Sequence, residues 1–120
     1  MNSEKIPGVA FYCACLDKKK KTPKCVIKSN GSDIYWFKKV NQPSGKFVVL
    51  DCQRKSLLGG ELPQIVDFAT KSILRIQPKG NVFNGYDFKS KSPFGVVVND
   101  DVVEFYDSRA DKPHKFFLKY

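Results

Sequence analysis

Histidine is nearly missing from this chain of 120 residues: His114 is the only one, and Trp36 is the only tryptophan. A lone histidine between Pro113 and Lys115 reads as an ordinary surface residue. Nothing local places it against Cys13, Cys15, Cys25 or Cys52, as a Cys–His nucleophilic pair would require. The four cysteines lack the paired C-x-x-C spacing of a zinc ribbon, so they read as reduced and mostly buried small hydrophobes. Phosphate-loop and dinucleotide patterns are absent as well; Gly59-Gly60 alone hints at an anion cradle. No apolar run reaches the length of a membrane helix. The N-terminal MNSEKIPG has no basic stretch followed by an apolar block, so no secretory leader is expected, and the setting is expected to be intracellular, cytoplasmic with access to the nucleus. Together these absences argue against an enzyme and against any cofactor or metal.

Negative charge is scarce in one half only. Residues 1–60 hold 12 Lys/Arg against 4 Asp/Glu, and residues 61–120 hold 9 against 8, so nearly all of the net +9 lies in the first half. The sharpest feature is KKKKTPK, residues 18–24. Asymmetry of this kind points to a polyanionic partner, nucleic acid or an anionic membrane surface, although a solvated basic face would look the same.

Hydrophobic residues make up 42% of the chain, enough for one packed core, so a single domain over residues 1–120 is expected. GVAFYCACL, residues 8–16, is apolar on both faces of a strand and reads as a doubly covered strand, with the lysine run as the loop that follows. Residues 24–29 form a short β-branched strand, Asn30-Gly31 a hairpin turn, residues 33–40 its partner, Asn41–Gly45 another turn and residues 46–52 a fourth strand. From Glu61 the period changes. Leu62, Ile65, Val66, Ala69, Ile73 and Ile76 recur at helical spacing, with Pro63 suited to a first turn, which predicts a helix over about 62–74. Residues 79–93 read as a long polar surface segment. A hairpin over 94–106 and a last strand over 114–120 follow. The expected fold is therefore α+β and β-rich: an antiparallel meander of about four strands, one mid-chain helix, then a C-terminal hairpin and a last strand.

Residues 32–50 and 101–119 share a plan, an apolar-aromatic strand, a loop with one proline, then Lys-Phe and two apolar residues. It reads as two hairpins obeying the same turn chemistry rather than a repeat array.

The stretch KCVIKSNGSDIYWFKKVNQPSGKFVVLDC, residues 24–52, resembles the second to fourth strands of a pleckstrin-homology domain. The resemblance covers about a quarter of the chain. It implies that the lysine run is the loop that holds inositol phosphates, with Lys18, Lys19, Lys20, Lys21 and Lys24 as the basic residues and Lys28 on the next strand. Such domains end in an amphipathic helix, often bearing a tryptophan, whereas this chain ends in a strand and its tryptophan is Trp36.

The residues point to a non-enzymatic binding domain for a polyanion, with single-stranded nucleic acid, RNA above all, as the leading partner. The expected polyanion-binding set is Lys18, Lys19, Lys20, Lys21, Lys24, Lys28, Lys38, Lys39, Arg54 and Lys55, because lysines neutralise phosphates and release counterions. Tyr35 and Trp36 are the candidate stacking residues, since aromatics on a sheet face can take unpaired bases. An anionic-lipid headgroup of the pleckstrin-homology type and a protein partner are the alternatives.

Overall fold

The computed structural model describes residues 1, 3–17, 22–40, 46–108 and 112–120. The lysine run Lys18–Lys21 and the turn expected over Asn41–Gly45 lie outside the described residues. A 3-10 turn, Ser3–Lys5, leads into helix α1, Ile6–Asp17. Ten strands follow: β1 Cys25–Lys28, β2 Ile34–Val40, β3 Phe47–Asp51, β4 Ser56–Glu61, β5 Gln64–Asp67, β6 Ser72–Lys79, β7 Val82–Asp87, β8 Ser92–Asn99, β9 Val102–Asp107 and β10 His114–Lys119. Each pairs antiparallel with its chain neighbour, and β10 pairs with β1, so the sheet closes into a barrel.

The expected α+β fold is overturned at two places. GVAFYCACL is not a strand; it belongs to α1. Residues Ile6 to Cys15 of α1 are all buried, and the helix packs against β1, β2, β4, β8 and β9, so it fills the barrel. A run that is apolar on all sides suits a fully enclosed helix as well as a doubly covered strand, and periodicity does not separate the two. Size decides. Eight strands leave an interior that side chains alone can fill; ten leave more. At 1.5 Å per residue, α1 is about 18 Å long, close to the height of the surrounding strands. Gly8, Ala10, Cys13 and Ala14 keep it slim, and Pro7 falls in the first turn, where its missing N–H breaks no helical bond.

The second correction is the helix expected over 62–74. Those residues form β5, a turn and the start of β6. Along Ser72–Ile76 burial alternates, with Ser72, Leu74 and Ile76 inside and Ile73 and Arg75 outside. The two-residue period of a half-buried strand overrode the weaker helical spacing. Residues 79–93, read as a long polar segment, are mostly the strands β7 and the start of β8. The likeness of residues 32–50 to 101–119 does not extend to three dimensions. Ile34 and Trp36 face outward, their counterparts Val103 and Phe105 are in the core, and the two connections sit at opposite ends of the barrel.

Two glycines let the wall close. Gly59 has φ +154°, and a Cβ there would lie 2.3 Å from the Phe47 carbonyl oxygen on β3. A Cβ on Gly85 would lie 2.1 Å from the ring of Phe94, its cross-strand partner, so the absent side chain is the space that ring occupies.

Three hairpins carry one pattern, Asp-x-x-x-Lys-Ser, at residues 51–56, 67–72 and 87–92. In each, Asp closes the ladder opposite Ser, and the Lys (Lys55, Lys71 or Lys91) takes a positive φ near 55°. In an up-and-down barrel all three turns fall at the same mouth, the one where α1 enters. Asp51, Asp67 and Asp87 are buried there. Asp87 accepts from Lys5 Nζ at 2.6 Å, and Lys5 also reaches Ser72 at 3.0 Å. Arg54 bonds Asp51 through Nε at 2.6 Å and clamps Asp67 with two donors at 3.0 and 2.7 Å. The positive end of the helix dipole lies at the same mouth. No buried side-chain nitrogen or oxygen among the described residues lacks a partner.

Candidate nucleic-acid interface

The wall made by β10, β1 and β2 has two unlike sides. On its outer side, alternation places Ile27, Ile34, Trp36 and Phe117 together: Ile27 pairs with both Ile34 and Phe117, and Cys25 pairs with both Trp36 and Lys119. Trp36 is 51% exposed, Ile34 49% and Phe117 40%. Lys38, Lys115 and Lys119 are exposed on the same face. Lys115 lies opposite Glu104, so positive charge dominates at Lys38 and Lys119. Cys25 shares this face but is buried, and burial raises its thiol pKa, with Lys119 opposing the shift.

Trp36 is held from behind by one side chain. Its N–H donates to Gln53 Oε1, and its carbonyl accepts from Gln53 Nε2 at 3.0 Å. Gln53 Nε2 also donates to Asp51 at 3.0 Å, so the Trp36 main chain is linked through Gln53 to a buried aspartate of the mouth. The fixed backbone leaves the ring free to meet a partner with little ordering cost.

On its inner side, the same wall borders a cavity of about 300 Å³ between the strands and the start of α1. Lys28, Tyr35, Gln53, Arg54, His114 and Phe116 line it, with Ser3, Glu4 and Asp51 at its polar rim. Tyr35 meets Phe116 edge to face at 6.4 Å, and His114 meets Phe105 edge to face at 6.2 Å. Burial, then the charge of Asp33, raise the Tyr35 phenol above its ordinary pKa, so it is a hydrogen-bond donor at neutral pH.

The structure disperses the expected binding set. Lys18, Lys19, Lys20 and Lys21 lie outside the described residues. Lys38 follows Trp36 on the outer face, whereas Lys24 is exposed just before β1, its carbonyl accepting from the Phe37 N–H at 3.2 Å. Lys28 and Tyr35 point to the inner cavity instead. Lys39 stands at the far mouth, its Nζ 5.2 Å from the centre of the Phe47 ring, close enough to α1 to lower the Cys15 thiol against a larger rise from burial. Lys55 is exposed on a turn. Arg54 is committed to Asp51 and Asp67: burial lowers its pKa, but the bonds from those two carboxylates outweigh this and hold it above its ordinary value. Phe117, Lys115 and Lys119 were not singled out, although the alternation in HKFFLK puts all three on one face. His114, read as an ordinary surface residue, is half-buried and lines the cavity.

Cys13, Cys15, Cys25 and Cys52 are free thiols, and among the described residues no group of three or more His, Cys, Asp or Glu side chains is placed to hold a metal ion. No helix among the described residues is long and apolar enough to cross a membrane. Comparison with protein-family models, with curated proteins and with solved structures found no match.

Proposed function

We propose that the protein is a non-enzymatic module that binds single-stranded nucleic acid, RNA above all, on the outer face of β10, β1 and β2. The observation that carries this reading is the half-exposed Trp36, fixed through its backbone and followed on the same face by the exposed Lys38. Trp36 and Phe117 offer rings on which bases stack, and Lys38 and Lys119 neutralise the phosphates that run past them. Stacking tolerates any base, so this face supplies affinity with little sequence preference.

The aliphatic members of the patch, Ile27 and Ile34, favour a second reading, in which the face dips into an anionic bilayer with the lysines at the headgroups. A titration followed by amide shifts and the Trp36 indole signal, at two salt concentrations, tests both. Short single-stranded RNA is expected to shift Trp36, Phe117 and the flanking lysines, with affinity falling as salt rises. Shifts with inositol polyphosphate or anionic vesicles and none with RNA would transfer the face to lipid. Silence with all three would overturn both readings.

A further inference from the structure

We infer that the cavity behind the wall is a pocket for one unpaired nucleobase of the bound strand. The inference rests on the nucleic-acid reading above and adds sequence choice to it. Charge is the first argument. Although the chain is strongly basic, this mouth is balanced: Lys28 and Arg54 face Glu4 and Asp51, and Arg54 is bound to two carboxylates. With two cations and two carboxylates in its lining, the pocket has no excess charge to hold a highly charged anion, whereas a neutral polar ring fits it. Shape and chemistry are the second. About 300 Å³ is at the small end of ligand pockets, and aromatic walls from Tyr35, Phe116 and His114 suit a flat ring. The Tyr35 hydroxyl and the His114 ring can read a base edge. Position is the third. Gln53 lines the pocket and also holds the backbone of Trp36, so the stacking ring and the pocket share one support. Lys28, at the pocket wall, would meet the phosphate of the nucleotide that turns inward.

The test is fluorescence anisotropy with labelled RNA nonamers of A, C and U at two salt concentrations, using the unaltered protein, Trp36→Ala, Tyr35→Phe and His114→Ala. The unaltered protein is expected to prefer one homopolymer by about tenfold, in keeping with hydrogen-bonded base discrimination. Tyr35→Phe, which keeps the ring against Phe116, and His114→Ala are expected to shrink that preference to about threefold or less with the salt slope unchanged. Trp36→Ala is expected to weaken all three RNAs alike. Equal binding of the three RNAs by the unaltered protein, or a preference that survives both pocket variants, overturns the pocket and leaves the outer-face reading standing. No salt-dependent binding to any RNA overturns both.

Discussion

The mouth where α1 enters and the outer face of β10–β1–β2 use charge in opposite ways. At the mouth, two cations, Lys5 and Arg54, pair with three buried carboxylates, Asp51, Asp67 and Asp87, at 2.6–3.0 Å, beside the positive end of the helix dipole. On the face, Lys38 and Lys119 stay in water beside exposed apolar side chains. Buried charges must be matched inside the fold, because an unmatched one costs several kcal/mol. Surface lysines carry no such obligation, and their charge remains available to a partner. The net charge alone does not distinguish the two uses.

The contrast is broken most severely at Lys5. Lys5→Met leaves Asp87 buried without its cation and is expected to cost about 3–5 kcal/mol of stability, read by urea denaturation. RNA affinity of the fraction that stays folded should not change. A variant of unaltered stability would mean that the pair does not lock α1 into the barrel.

Trp36→Ala is the mirror image. With the ring half exposed, stability should move by about 0.5 kcal/mol or less, while RNA affinity should drop about tenfold. Thermal melts and anisotropy titrations together separate the two outcomes.

Changing Lys38 and Lys119 to Ser tests charge without stacking. The slope of log affinity against log salt should fall by about 1.4 for a single strand if each lysine neutralises one phosphate. An unchanged slope would remove these two lysines from the contact.

The mildest probe is pH. Burial would raise the Asp87 carboxyl, but bonds from Lys5, from the Lys89 N–H and from Ser90 outweigh it and hold the carboxyl below its ordinary value. A depressed carboxyl stabilises the fold fully above the unfolded value of about 3.9, and that contribution is lost as pH falls through the lower folded value. Melting temperature should therefore decline as pH falls below about 4.

How much was readable beforehand varies by segment. Residues 24–29 and 33–40 around Asn30-Gly31 could be read as a hairpin, because β-branched and aromatic residues flank a turn that needs a positive φ, which Gly31 adopts at +73°. The Asp-x-x-x-Lys-Ser pattern, written three times, is legible in the sequence as well and marks β5 and β6 as a hairpin in place of a helix. Trp36 was identified as a stacking candidate from its neighbours. Its companion Phe117 lies 81 positions further on and joins it only when β10 closes onto β1.

Local sequence thus determined the basic first half, the paired strands and the alternation that sends Lys38 and Trp36 to one face, since each follows from charge count or from the two-residue period of a strand. Only the tertiary structure decided that GVAFYCACL is a helix, that three distant aspartates share a mouth with Lys5 and Arg54, and that Phe117 and Lys119 share the outer face of Trp36 across β1. The physical reason is barrel closure. Ten strands must enclose something, the apolar segment is the piece that fits, and the ring that forms around it joins the two ends of the chain in one wall.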